Sequence, residues 1–459
     1  MFTKETYIER RSGLKQSMKS GILLFLGNEE SSMNYADNTF HFRQDSTFLY
    51  FFGMDFAGLA AVIDLDEDKE ILFGNDLTVE DIVWMGTQPN LIQRGSAFGV
   101  QTVKPLSQLV EYLQHAIKQE RTIHYLPPYR PENKLKLLDI LAINPAEVKT
   151  KSSLDFVKAV VNLRNHKSAE EIAEIERAVD ISVDMHITAM KMARPGMRES
   201  ELAAAVTQVA LAAGGQLSFP VIMTINGQTL HNHYHGNTLK SGDMVLSDCG
   251  AETALHYAGD LSSTFPVDRR FSSRQKEVYQ ICLNAHEAAL AKLSPGVPFR
   301  EVHYAACRTI INGLKDINLM KGDTEDALAS GAHAMFFPCG TGHMMGLDVH
   351  DMEDLGEVYV GYDGKPKSTQ FGLKSLRLAR PLEEGFVATI EPGIYFIPEL
   401  IASWKKEGIN TAFINFQNVE GYTTFSGVRN EEDIVITSDG YRVLGKRKPK
   451  TIEEVESLR

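Results

Sequence analysis

The stretch LKSGDMVLSDCG (residues 239–250) is echoed further along the chain by LEEGFVATIEPG (residues 382–393). In both, a glycine follows the leucine by three positions, an acid by nine and a second glycine by eleven. Each reads as a turn feeding a buried apolar strand that ends on a carboxylate. Working outward, the preceding segments match too. One long helical pattern closes at ARPG (193–196), with a second helix over 199–213; another starts at Ser273 and closes at LSPG (293–296), with a second helix reaching Leu314. A duplicated half is therefore expected, with Asp248 and Glu391 as symmetry mates and one site taking an acid from each half. The duplicated region begins at a clear signal. Ser168 stands three residues before Glu171, the spacing of a capping box, and Ile172, Ile175, Val179, Val183, Ile187 and Met190 then recur at helical spacing. The expected class is α/β (α+β), with a smaller α/β domain over residues 1–163 and a larger one over 164–459.

In the first domain, ILLFLG (22–27), FLYFFG (48–53), LAAVIDL (59–65) and EILFG (70–74) read as buried strands, and 106–118 and 132–143 as helices. The most apolar segment, 47–65, carries Asp55 at its middle with Gly53 and Gly58 beside it. A lone carboxylate at a bilayer centre costs at least about 2.5 kcal/mol, so this segment reads as two sheet strands joined by a turn, and no membrane partner is expected. The 459 residues hold 47 basic and 60 acidic side chains, a net charge of −13, which disfavours nucleic acid as a partner. Cys249, Cys282, Cys307 and Cys339 show no framework spacing. The first twenty residues contain no apolar core of a secretory signal, so a reducing cytoplasm is the expected compartment.

Acids at the ends of apolar strands are costly unless something compensates them. Asp248 follows MVLS, Glu391 follows FVATI, Asp260 sits in HYAGDLSSTFP and Glu431 precedes DIVIT. Taken singly, each is a strand end facing water. Together, four converging carboxylates repel one another, and one stays protonated unless cations are present. Two divalent ions balance four such charges, and oxygen donors suit a hard ion such as Mn²⁺. HNHYHG supplies His231, His233 and His235, and GTGHMMGLDVHD supplies His343 and His350. Residues i and i+2 of a strand share a face, so His231 and His233 can look into one cleft; His235 reads as a surface residue. His166, His186, His286, His303 and His333 lie on or near helices and read as structural.

FRQDSTFLYFFG (42–53), NGQTLH (226–231), LKSGDMVLSDCG, AGDLSSTFPV (258–267), GTGHMMGLDVHD (340–351), ATIEPGIYF (388–396) and GVRNEEDIVIT (427–437) occur in that order. This series resembles the proline-specific metallopeptidases of the pita-bread fold, Xaa-Pro aminopeptidase (aminopeptidase P) and its relative Xaa-Pro dipeptidase (prolidase), over nearly the whole chain. The resemblance implies a pita-bread (creatinase/aminopeptidase) catalytic domain with a pseudo-two-fold repeat, behind an N-terminal creatinase-like α/β domain. It implies two divalent ions, Mn²⁺ the expected metal, on Asp248, Asp260, His343, Glu391 and Glu431, with Asp260 and Glu431 bridging. Asp248 would complete one ion and His343 with Glu391 the other, with a hydroxide held between the two. Glu391 would also be the general base, and His231 and His350 the histidines that hold the scissile carbonyl and the developing oxyanion, with His233 the alternative to His231. It further implies proline-containing peptides or dipeptides as substrates, and a homodimer.

GLKSLRLARPLEEG (372–385) resembles the prolidase branch, in which an arginine at the position of Arg377 grips the substrate carboxylate, a contact that suits a planar guanidinium; a solvent-facing Arg377 is the other reading. Arg429, two residues before Glu431, is expected to tie the acids together. Three positions depart from the family. Cys339 stands where relatives have histidine, Asn430 replaces an apolar residue, and Asp248 and Asp260 are twelve apart instead of eleven, which suggests a bulge or longer turn. The expected activity is removal of the residue ahead of proline, with strict dipeptidase, a non-catalytic peptide-binding module and a metal-free hydrolase of the same fold as alternatives. Retention of all five ligand types weighs against the last two.

Overall fold

In a computed structural model, which describes residues 2–459, the chain forms two units: Met1–Arg164 with Met352–Tyr359, and Asn165–Asp351 with Val360–Arg459. The first unit is built on a five-stranded sheet in the order Thr102–Pro105, Lys69–Gly74, Ala60–Asp64, Ile22–Leu26, Ile123–Tyr125. The three central strands are antiparallel and the two edge strands pair in parallel. Ile22, Leu24, Val62, Ile71 and Phe73 form one face, packed with Leu109 and Leu113 of the helix Gln108–Lys118 and with Leu137 and Ile140 of the helix Pro131–Leu141.

The strand expected at 48–53 is instead a helix, Ser46–Phe52. Asp45 caps its start by accepting the Phe48 N–H at 2.9 Å, and Gly53, at φ 67°, returns its own N–H to Leu49 O at 2.8 Å. All seven helical residues are buried, so there is no polar face whose period could betray the helix. The segment 47–65 is therefore helix followed by strand Ala60–Asp64, not two strands. The short helix Val79–Met85, by contrast, has no buried residue and exposes Val79, Val83, Trp84 and Met85.

The second unit carries the repeat. The helix pair Ala169–Met192 and Glu199–Ala212 corresponds to the pair Ser273–Leu290 and Phe299–Asp316. The Ser168 hydroxyl accepts the Glu171 N–H while the Glu171 carboxylate accepts the Ser168 N–H, closing the capping box. The same three backbone bonds then recur in both halves. Gly196 N–H and Gly296 N–H donate to Leu239 O and Leu382 O; Leu239 N–H and Leu382 N–H donate to Met197 O and Val297 O; Glu199 N–H and Phe299 N–H donate to Asn237 O and Arg380 O, all at 2.8–3.0 Å. Gly242 and Gly385 both sit at positive φ, 91° and 84°, which explains the glycine in each turn. Each turn delivers a buried strand, Met244–Cys249 and Val387–Ile390.

The first strand lies between Ile222–Thr224 and Leu261–Pro266, the second beside Glu432–Ile436, all antiparallel. The two sheets meet where Glu431 N–H donates to Ser262 O at 3.2 Å and Arg429 N–H to the Thr264 hydroxyl at 3.0 Å. Among the described residues, no helix is long and apolar enough to cross a membrane.

Candidate metal centre

Register places the acids. Asp248 pairs with Ser262, and Asp260 lies two residues before Ser262, so all three side chains share one face. In the second ladder Ile390 pairs with Glu432. The next positions along, Glu391 and Glu431, thus stand opposite each other just beyond its end. The twelve-residue spacing from Asp248 to Asp260 is taken up by a closed turn, in which Thr253 N–H donates to Tyr257 O and His256 adopts φ 65°. His343 arrives from the loop after Gly340. Its N–H donates to the Thr389 hydroxyl at 3.2 Å and its carbonyl accepts the Thr389 N–H at 3.0 Å, which fastens the loop to the Glu391 strand.

These five residues share a cavity of about 510 Å³, which His231, His233, Cys339, His350, Arg377 and Arg429 also line. All eleven residues singled out from the sequence therefore fall in one place. His231 and His233 reach it from an irregular loop rather than a strand, since 225–237 forms no ladder. His235 stays outside, its Nε2 3.0 Å from Val221 O. Apolar lining comes from Phe219, Ile222, Leu230 and Val349.

Donor atoms of Asp260, His343 and Glu431 lie within 4.8 Å of one another, all three buried. His343 Nδ1 is 3.1 Å from Met344 O. That carbonyl can only accept, which assigns the proton to Nδ1 and leaves a lone pair on Nε2 in the neutral ring. This lone pair faces Asp260 Oδ2 at 3.4 Å and Glu391 Oε1 at 3.6 Å. Acceptors facing acceptors repel unless a cation or a proton lies among them. Burial first, then the Asp248 charge, pushes Asp260 up to about 8. Burial and the neighbouring acids likewise push Glu391 upward and Glu431 far upward. Four carboxylates and one imidazole lining one cavity fit divalent ions well.

Arg429 is buried beneath them. Its guanidinium donates to Asp248, to the Ser262 hydroxyl at 2.8 Å and to the Tyr395 hydroxyl at 2.9 Å. Ser262 in turn donates to Glu431 at 2.7 Å, so Arg429 reaches one acid directly and a second through a hydroxyl. Asp433, two residues past Glu431 on the same face, accepts the Asp260 N–H at 3.0 Å. Ser262, Tyr395 and Asp433 escaped the sequence reading. Only Asp433, a third acid inside NEED, carried a signal that could have exposed it. The Cys339 thiol, half-buried on the cavity wall, is pushed up to about 12, by burial and then by Glu391, which disfavours the thiolate.

Known proteins confirm the frame. The profile of metallopeptidase family M24 matches residues 173–438, and that of the aminopeptidase P N-terminal domain matches residues 7–124. The Xaa-Pro aminopeptidase of Escherichia coli K12 is 29% identical, covering 99% of this chain and 98% of its own. Human Xaa-Pro dipeptidase is also 29% identical, covering 95% and 88%. The structure of zinc-substituted E. coli aminopeptidase P in complex with product superposes with a TM-score of 0.79 at 27% identity, over 100% of this chain and 98% of that one. The pita-bread repeat behind an aminopeptidase-P-type N-terminal domain is thus found in sequence and fold alike, and the chain belongs to metallopeptidase family M24.

Proposed function

We propose that this protein is an Xaa-Pro aminopeptidase, releasing the N-terminal residue ahead of proline, with residues 1–163 its aminopeptidase-P-type domain and 164–459 the catalytic one. The observation that carries this is the convergence of Asp248, Asp260, His343, Glu391 and Glu431 on one cavity that also holds His231, His350 and Arg377. Those five residues would hold two divalent ions, with manganese the expected metal of an oxygen-rich set. Bound there, such ions lower the pKa of water and polarise the scissile carbonyl.

The chain's own groups do the rest. Glu391, its side chain 19% exposed and open to the cavity, accepts the proton of the attacking water and hands it to the proline nitrogen, which has none of its own. His350 stacks edge-on against His343, ring centroids 4.3 Å apart, and is held to aim a ring N–H at the substrate oxygen. Burial and the Arg429 charge lower the His231 pKa, so its neutral ring can donate to the same carbonyl; His233 is the alternative donor. Phe219, Ile222, Leu230 and Val349 offer the pyrrolidine ring an apolar seat.

Arg377 on the cavity wall favours a second reading, strict Xaa-Pro dipeptidase, because a guanidinium there can clamp a dipeptide's carboxylate bidentately. Turnover of an Xaa-Pro dipeptide against an Xaa-Pro tripeptide, with Mn²⁺ added, decides between them. Comparable or faster tripeptide cleavage is expected; cleavage of the dipeptide alone, lost in Arg377→Ala through KM, would establish the dipeptidase. The four unpaired thiols support a cytoplasmic location. The exposed apolar helix Val79–Met85 supports a homodimer, which sedimentation velocity would detect.

A further inference from the structure

A second group of donors stands behind the cavity wall. His303 and Cys307 lie one turn apart on the helix Phe299–Asp316, and His333 sits on the short helical turn Ala332–Met335. Their donor atoms fall within 4.8 Å of one another, and all three side chains are buried. His303 Nε2 is 3.4 Å from Cys307 Sγ, close to the edge of about 3.5 Å spanned by N and S on one tetrahedral ion with ordinary bond lengths. The other nitrogen, His303 Nδ1, meets the Thr341 hydroxyl at 2.9 Å, the outer contact that fixes the tautomer and aim of a ligating imidazole.

His333 supplies the independent observation. Only 2% of it is exposed, yet neither ring nitrogen has a hydrogen-bond partner. A buried polar group left in that state costs about 1–3 kcal/mol, and an ion among the three donors would remove the cost.

We propose that His303, Cys307 and His333 form a second metal site, distinct from the carboxylate centre, for a thiophilic d¹⁰ ion, Cu(I) in preference to Zn(II). Two imidazoles and one thiolate suit a soft ion of low coordination number. Charge points the same way: a thiolate neutralises Cu(I), whereas Zn(II) leaves a net positive charge among three buried side chains. Burial keeps both imidazoles neutral, lowering His303 to about 3 and His333 to about 4. As the sulfur–metal bond forms, the Cys307 proton leaves to solvent. The site is tied to the cavity through Thr341, which holds His303 with its hydroxyl and accepts the Glu391 N–H on its carbonyl at 2.7 Å. An ion here braces the backbone behind Glu391.

Cobalt(II) added to the full-length protein is the first probe. The five ligand candidates of the carboxylate centre are oxygen and imidazole donors, and Cys339 is the thiol on that cavity's wall, so a thiolate-to-cobalt charge-transfer band that survives Cys339→Ser reports the Cys307 site. The expected result is that band in the wild type, its loss in Cys307→Ser, its weakening in His333→Gln, and its persistence in Cys339→Ser and Asp260→Asn. No band in the wild type overturns the proposal, as does a band that survives Cys307→Ser or disappears in Cys339→Ser. Competition against a Cu(I) chelator under reductant and a Zn(II) chelator then ranks the ions. One equivalent of Cu(I), lost in Cys307→Ser, is expected; tighter retention of Zn(II) overturns the preference for copper.

Discussion

Glu391 is the side chain on which the proposed chemistry turns, as base and as one of the proposed ligands. Glu391→Gln keeps the shape, removes the base and replaces a carboxylate donor with a neutral amide. The expected loss in kcat/KM is at least about 100-fold at saturating Mn²⁺, with a melting curve close to the wild type when both are compared metal-free, read by steady-state kinetics and circular dichroism. Arg429 poses the opposite case, since its geometry matters as much as its charge. It donates to Asp248, Ser262 and Tyr395 at once, a spread that a lysine ammonium cannot reproduce. Arg429→Ala leaves buried acids unpaired, and about 3–5 kcal/mol of destabilisation is expected by urea titration. The metal-ligand candidates were legible because acids at the ends of apolar strands are conspicuous. Ser262 was not: a serine in LSSTFP looks like any other until the ladder sets it opposite Asp248.

Helix ends were the most readable elements, because their signal is local. Ser168 and Glu171 need only each other to announce the start of Ala169–Met192. Ser168→Ala is expected to cost about 1 kcal/mol, seen as a lower urea midpoint at unchanged m-value. The helix Ser46–Phe52 shows where such reading stops. Its caps, Asp45 and Gly53, were present in the sequence, but a seven-residue apolar run carries no period that separates a buried helix from a buried strand. The repeat lies between these cases. Its turn glycines and strand-end acids were visible, while the three matching backbone bonds that make it a structural repeat involve no side chain at all. The segment carrying His231 and His233 is a loop and no strand, yet it brings both to the cavity; their shared neighbourhood comes from the path of the loop and not from strand alternation.

At the scale of the molecule, buried histidines contribute an acid-sensitive term to stability. His186 is fully buried, and burial with the Lys448 charge lowers it to about 3; burial with Lys450 and Lys448 also drives His286 far down. Above about pH 6.5, the unfolded value, neither state binds these protons and the full stability is present. Below it the unfolded chain takes up protons that the native one refuses, so stability falls by up to about 1.4 kcal/mol per pH unit for each histidine. The raised carboxyls of the metal centre act in the opposite sense when no cation is bound, so the histidine contribution is read as a difference: between pH 7.5 and 5.5 the urea midpoint of the wild type should fall more, or rise less, than that of His186→Gln. Metal removal gives a second whole-molecule test. Chelation should abolish peptidase activity and lower the melting temperature, and Mn²⁺ should restore both. An excess of about 100 times Kd corresponds to about 2.7 kcal/mol.

Because each half of the repeat contributes only part of the proposed donor set, with Asp248 and Asp260 in one and His343, Glu391 and Glu431 in the other, neither half alone would complete a coordination sphere. A chain emerging from denaturant can therefore build one half, or both separately, and would still have little hold on a divalent ion. High-affinity uptake should lag behind the return of helical signal in a stopped-flow experiment, so the ion works as a clock for the last docking step of folding.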